Sequence, residues 1–307
     1  MLSVIIPAFN EAENIINTSD TITHILKNAD IKYELIFVDD GSKDLTYEQI
    51  KLAHSRDSHV TGLRFSRNFG KEAAILAGLS KAHGECAAVI DCDLQHPPEC
   101  LVKMYALWKE GYQIIEGVKN SRGSETLTHK MSAGIFYHLI SKAVGIDMNT
   151  SSDFKLLDRK VIDIITSLPE RDTFFRALTF WTGFKSTSVT YDVADRQFGE
   201  TKWSTFKLIK YAINNITSFT SMPLHMITGM GIVLLFVALV LGIQTLIKYI
   251  SGNAAEGFTT VILLMLIIGG CIMISLGIIG IYISKIYNEV KHRPAYIVLE
   301  ECSLEEK

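Results

Sequence analysis

Two stretches near the carboxyl end of the chain, Met226–Ile247 and Phe258–Ser284, contain no Asp, Glu, Lys or Arg. Each exceeds the roughly 20 residues a helix needs to cross a hydrocarbon core of about 30 Å. The chain must bury both runs in a soluble core or place them in a bilayer, where a helix satisfies its own backbone polar groups. Two runs without a single charge favour the bilayer over a buried helical hairpin. Lys207 and Lys210 precede the pair, Lys285, Lys291 and Arg293 follow it, and the connecting segment offers only Lys248. The positive-inside rule then predicts a multi-pass protein of the cytoplasmic membrane with both termini in the cytoplasm. Between Trp203 and Met222, Phe206, Ile209, Ile213 and Ile216 recur at helical spacing with Lys207, Lys210 and Asn214 elsewhere. That pattern predicts an interfacial helix, with Trp203 as its headgroup anchor.

Upstream, the pattern changes. A mean hydropathy of +0.22 beside 21% charged residues is the sum of two unlike parts, and residues before about Ser221 alternate like a soluble α/β protein. Apolar strands are expected at Leu2–Ile6, Tyr33–Val38, Val60–Phe65, Ala87–Ile90, Tyr112–Val118 and Ser186–Val193, mostly separated by helical stretches of about a dozen residues. Asn10 is expected to cap a first helix from near Glu11. Such alternation predicts right-handed βαβ units and a largely parallel sheet. The expected division is a catalytic domain over 1–202, an interfacial helix over 203–222, and a membrane domain over 223–307. The last has spans at about 226–247 and 258–284 and a short cytoplasmic tail.

Several classes of function fall away. A net charge of −3 gives no electrostatic footprint for nucleic acid. Neither Gly-x-Gly-x-x-Gly nor Gly-x-x-x-x-Gly-Lys-Ser/Thr occurs, which removes the usual glycine cradles for dinucleotides and triphosphates. The five cysteines have no zinc spacing and read as reduced, mostly buried thiols. The chain begins directly on a strand without a charged n-region, so no signal peptide is expected.

Chemistry concentrates in Val89-Ile-Asp-Cys-Asp-Leu-Gln-His-Pro-Pro-Glu99. A buried strand runs into two carboxylates one residue apart, at the end of a strand where open α/β sheets hold their ligands. Side chains at i and i+2 share one face, so Asp91 and Asp93 can address one hard cation, Mg²⁺ or Mn²⁺. Cys92 between them is expected on the opposite face as a small core residue. A strand-end turn with two solvated acids is the plain alternative.

Five further segments stand in order with this one: Pro7-Ala-Phe-Asn-Glu11, Val38-Asp-Asp-Gly-Ser42, Arg67-Asn-Phe-Gly-Lys71, Asp153-Phe-Lys155, and Arg196 with Gly199-Glu-Thr-Lys202. Together with the paired spans, they resemble the inverting family 2 glycosyltransferases of the dolichyl-phosphate-mannose synthase class. The bacterial polyprenyl-phosphate (bactoprenol) glucosyltransferases are the nearest group. The resemblance covers essentially the whole chain. It implies an α/β GT-A fold, Rossmann-like with a mostly parallel sheet, followed by the interfacial helix and two transmembrane helices. It implies that Pro7, Phe9, Glu11, Val38, Asp40 and Asp91 hold the nucleotide, and that Asp91 and Asp93 serve the metal with Gln95 nearby. Lys155, Arg196 and Lys202 match basic positions that contact phosphates; Arg122 and Lys130 lie where cations meet the lipid phosphate. Lys155 stands where the family often has Arg, which keeps the charge without the bidentate fork. Arg67 and Lys71 are as readily a solvated turn as a ligand contact.

The implied reaction moves a sugar from a UDP-sugar to undecaprenyl phosphate with inversion, glucose being the first choice and N-acetylglucosamine the second. The product would be a lipid-linked monosaccharide for cell-surface glycan modification, passed to a lipid-linked sugar flippase. The expected partners are the UDP-sugar, the lipid acceptor and the bilayer, and a homo-oligomer is left open. Asp93 and Asp153 are the catalytic candidates, Asp153 as a base or as a group that orients the acceptor. A membrane-bound processive polysaccharide synthase shares the fold, but the chain lacks Gln-x-x-Arg-Trp. A non-enzymatic nucleotide-sensing scaffold would not require the metal and phosphate residues that are present here, and a transporter would need more spans.

Overall fold

In the computed structural model the described residues are 1–119, 152–170, 174–192, 217, 221–251 and 257–303. The chain divides into two compact units: Met1–Ser204 with Pro294–Lys307, and Thr205–Arg293.

The first unit is built on an eight-stranded sheet. Its strands are β1 (Leu2–Ala8), β2 (Tyr33–Asp39), β3 (Val60–Phe65), β4 (Cys86–Val89), β5 (Ile114–Lys119), β6 (Lys155–Asp158), β7 (Ser186–Tyr191) and β8 (Val298–Cys302). They lie in the order β7-β5-β6-β4-β1-β2-β3-β8. β1 pairs in parallel with β2 and β4, β2 with β3, and β5 with β7. The helices of this unit are α1 (Ile15–Asn28), α2 (Thr46–Arg56), α3 (Lys71–Lys81), α4 (Glu99–Lys109), α5 (Arg159–Ser167) and α6 (Phe175–Trp181). β1, β2 and β4 are almost wholly buried, as strands covered on both faces must be, which explains their continuous apolar runs. The largely parallel α/β sheet is the one that the alternation predicts.

Three local differences carry physical reasons. α1 begins at Ile15 instead of near Glu11. Asn10 takes φ 56 and is tied across to the second loop: its backbone N–H donates to Ser42 Oγ at 2.8 Å, and its Oδ1 accepts from Lys43 N at 3.0 Å. The residue read as a helix cap therefore knits two loops. β6 is a strand that no apolar period announces, four residues being too few for one to show. It runs antiparallel between β4 and β5. The segment after Arg293 does not stay with the membrane domain as expected, because β8 pairs antiparallel with β3 and closes that edge of the sheet.

The second unit contains α7 (Met222–Ile250) and α8 (Phe258–Val290). Within them Met222–Lys248 and Leu264–Val290 have mean hydropathies of 2.7 and 2.6 and are unburied along their apolar windows. Both are candidate membrane spans, matching the two runs read from sequence. The expected interfacial helix lies almost wholly outside the described residues.

Candidate active site

Chain order puts β2 and β3 on one side of β1 and sends β4 to the other, so the order reverses between β1 and β4. In open α/β sheets the crevice at the carboxyl ends of such strands binds ligands. Register brings the relevant ends level. Pro7 lies opposite Val38 and Ala8 opposite Asp39, while Val89 pairs with Lys155. Lys155 opens β6, and Asp153 just before it thus comes beside Asp91.

On the β1–β2 side, Phe9 is exposed and Pro7 half-buried at the strand end. The Glu11 backbone N–H donates to Thr46 Oγ1 at 2.9 Å, and its carboxylate accepts from Asn14. The Val38 side chain is fully buried in the sheet, so only its backbone can face a ligand. Asp40 is also buried, and its carboxylate accepts the backbone N–H groups of Phe69 and Gly70, at 2.6 Å from Phe69 N to Oδ1 and 2.9 Å from Gly70 N to Oδ2. Burial raises its pKa, against the pull of those two donors. Asp40 therefore shapes the 67–70 turn that leads into α3. Gly41 permits this approach: at φ +67, a Cβ there would stand 2.4 Å from the Arg67 carbonyl carbon. Next to it Asp39, which the sequence reading passed over, is fully buried and keeps Oδ2 without a hydrogen-bond partner among the described residues. Oδ1 accepts from Ser42 N at 2.8 Å, and Arg64 Nε lies 3.5 Å from Oδ2.

Beyond β4 the alternation holds. Cys92 is buried, as expected, with its carbonyl accepting from Thr18 Oγ1 at 2.7 Å. Asp91, Asp93 and Gln95 stay partly exposed, and Asp93 Oδ1 accepts from Gln95 N at 3.1 Å. Leu94 bends the loop through φ 52. His96 then anchors the loop, stacked on Phe154 at 4.9 Å and edge-on to Tyr191 at 5.5 Å. Burial lowers its pKa and keeps the ring neutral.

Four charges alternate across the crevice. Lys71 Nζ lies 2.6 Å from Asp91 Oδ1 and 3.0 Å from Asp153 Oδ2. Arg176, on α6, holds the same Asp153 with a bidentate fork, Nε to Oδ1 at 2.7 Å and one terminal nitrogen to Oδ2 at 3.1 Å. Burial alone would raise the Asp153 pKa, but Lys71 and Arg176 overcome it and hold the carboxyl well below the usual range. The Lys71 ammonium is likewise held above the ordinary lysine range: the partial loss of water around it opposes the charge, and Asp91 and Asp153 outweigh that. Glu72, next along α3, is pushed up to about 7 by burial and by the nearby Asp153, and accepts the Phe175 N–H at 2.8 Å.

Lys155, expected at a phosphate, is fully buried. Its ammonium donates to Glu116 and, at 2.8 Å, to Thr179 Oγ1. Burial lowers its pKa, with Glu116 acting against that. Arg122, Lys130, Arg196 and Lys202 lie outside the described residues. Arg176 was missed by the sequence reading. Its signal is slight: one cation inside the apolar run Phe174-Phe-Arg-Ala-Leu178.

No group of three or more His, Cys, Asp or Glu gathers into a metal cage among the described residues. The Asp91/Asp93 pair instead offers two hard oxygen donors open to solvent. That suits Mg²⁺ or Mn²⁺ bound by one or two carboxylates and completed by substrate phosphates and water.

Comparison with known proteins agrees with this architecture. Residues 3–165 match the pattern of glycosyl transferase family 2. An uncharacterized glycosyltransferase of Bacillus subtilis, YkcC, is 37% identical, the match covering 99% of this chain and 95% of that protein. The bactoprenol glucosyl transferase of Shigella phage SfV is 34% identical over 98% of both chains. Among solved structures, the Mycobacterium tuberculosis glucosyl-3-phosphoglycerate synthase in complex with Mn²⁺ and UDP-glucose shares the fold, with a TM-score of 0.51. It is 20% identical, and the match covers 71% of this chain and 77% of that one. With its own sheet, acidic strand end and paired apolar helices accounted for, the chain belongs to glycosyl transferase family 2.

Proposed function

We propose that this glycosyltransferase moves a sugar, glucose first and N-acetylglucosamine second, from a UDP-sugar to undecaprenyl phosphate at the cytoplasmic face of the membrane. The observation that carries the reading is the match to a bactoprenol glucosyl transferase over 98% of both chains, apolar helices included. A catalytic unit on the same chain as two candidate spans suits a lipid acceptor whose phosphate lies in the interface.

Asp91 and Asp93 would hold Mg²⁺ or Mn²⁺, which when bound supplies Lewis-acid stabilisation to the departing diphosphate. Phe9 and Pro7 at the end of β1, with the Asp39–Asp40 corner of β2, would receive the nucleoside. The buried Asp39 carboxylate, held by Ser42 N and facing Arg64, would fix that corner from behind. Gln95 would stand beside the diphosphate. Arg196 and Lys202 would meet the donor's phosphates, and Arg122 and Lys130 the acceptor's. Lys155 acts from within, holding Glu116 on β5 against α6.

The nucleophile is a phosphate monoester oxygen, whose second pKa is roughly 6. It is largely ionised at neutral pH and needs no strong base. Asp153, clamped by Arg176 and Lys71, is a poor proton acceptor. It would fix both cations beside the reacting phosphates, which fits orientation better than base catalysis. The lipid-linked sugar would then pass to a flippase.

Membranes carrying the protein, given radiolabelled UDP-sugars and undecaprenyl phosphate, test the reading. The expected product extracts into organic solvent, carries one sugar per lipid and releases it under mild acid. A water-soluble polymer, or growth beyond one sugar, would overturn the proposal in favour of a processive synthase.

A further inference from the structure

Lys71 sits where its charge conflicts with the function proposed for Asp91. Its ammonium is 2.6 Å from Asp91 Oδ1, and a divalent cation on that carboxylate would face a second positive charge at contact range. The two cannot share the oxygen without strong repulsion. The bridge is reachable from solvent, since the side chains of Lys71 and Asp91 are 41% and 32% exposed. Asp153 provides the alternative seat. It lies 3.0 Å from the same ammonium and is only 10% exposed. Its bond to Arg176 keeps it neutralised whichever way Lys71 turns. The lysine stem is long and unbranched, and a swing between neighbouring carboxylates is a rotamer change on the ps–ns scale.

We propose that Lys71 is an exchangeable placeholder at the metal position. It neutralises Asp91 before the cation arrives, yields that carboxylate to the cation, and is retained by Asp153 as a second positive charge for the diphosphate. This inference rests on the reading of Asp91 and Asp93 as metal carboxylates. It adds that Lys71 competes for the metal, so that metal affinity is held down until the nucleotide's phosphates join the site. A site engaged by its own lysine binds metal with an affinity reduced by the fraction of time the carboxylate is open. Because a charge-assisted hydrogen bond is worth about 10- to 150-fold, removing Lys71 should tighten metal binding by roughly ten-fold or more. A fixed structural lysine would not leave Asp91 when metal binds.

Two measurements on the full-length, detergent-solubilised protein test this without turnover. The first is Mn²⁺ affinity by electron paramagnetic resonance, with no nucleotide present. Lys71→Met should bind Mn²⁺ roughly ten-fold tighter than wild type, whereas Lys71→Arg, which keeps the charge, should bind no tighter. Thermal melting of both variants checks that they fold. The second is labelling of Lys71 by an amine-reactive reagent, followed by mass spectrometry. Mg²⁺ should speed Lys71 labelling in the wild type about two-fold or more, because the amine loses one of its two carboxylates. Unchanged affinity in Lys71→Met, or unchanged labelling while metal is bound, would overturn the exchange and leave the metal site standing. If wild type binds no Mn²⁺ even with UDP present, the metal reading fails and this proposal with it. The acceptor reading is judged separately by the lipid product.

Discussion

Glu72 shows how a residue beside the reactive crevice can cost stability. Its carboxyl is buried near Asp153 and is pushed up to about 7, while in an unfolded chain it titrates near 4.3. Between those values the unfolded state has released a proton that the folded state still holds. The linkage sign is therefore negative: this group's contribution to stability falls as pH rises from about 4 to 7 and is flat above. Glu72→Gln keeps an oxygen for the Phe175 N–H and removes the titration. Compared with wild type, it should be equally stable at pH 4 and more stable at pH 8, by on the order of 2 kcal/mol. Thermal unfolding across that range measures the difference. A stability gap that does not change with pH would sink the argument. Individual residues also mark the limits of reading by type. Asp40 was visible as a strand-end acid, yet its oxygens hold Phe69 N and Gly70 N, a pairing fixed by how two loops meet in space. Lys155 was visible as a cation, but its full burial depends on β6, which four residues could not announce.

At the level of elements, the parallel strands and the acidic end of β4 were legible because buried strands leave continuous apolar runs and Asp91 follows directly on one of them. β8 was not, since Val298-Leu-Glu-Glu-Cys302 is short and half-exposed and lies far in sequence from its partner. It is held by the ladder to β3, by Lys51–Glu300 at 2.9 Å and Lys81–Glu301 at 3.0 Å, and by Tyr296 stacked on Phe65 at 5.1 Å. Gly62 makes room for it: a Cβ there would stand 2.6 Å from Cys302 Sγ and 2.4 Å from Ile50 Cγ2. The exposed ion pairs add little, so the ladder bonds, each worth about 0.5–1.5 kcal/mol net, carry most of the hold. Truncation before Val298 should lower the stability of the catalytic unit by roughly 2–4 kcal/mol. It should also raise aggregation, because the edge of β3 is left open to pair with other chains. Melting and light scattering on the truncated protein decide this, and an unchanged melting temperature would mean that β8 is only loosely docked.

For the whole molecule, β8 bears on topology in a way that charge counting cannot. The catalytic unit contains residues on both sides of the apolar pair, because β1–β7 precede α7 and β8 follows α8. Strands hydrogen-bonded in one sheet lie on one side of a bilayer, so the chain between Ser221 and Pro294 must cross an even number of times. Two spans satisfy this; one span with a buried partner does not. This parity is independent of the Lys/Arg bias, which adds the direction by placing the more basic flanks inside. A reporter fused after Lys307 and one inserted near Asn253 should therefore fall on opposite sides, the first in the cytoplasm and the second outside. Alkaline phosphatase and green fluorescent protein fusions at the two positions give opposite signals for each side. The same side for both would mean that neither apolar helix crosses, since the shared sheet forbids a single crossing, and a cytoplasmic Asn253 with an external Lys307 would invert the orientation and strand the catalytic unit away from any UDP-sugar.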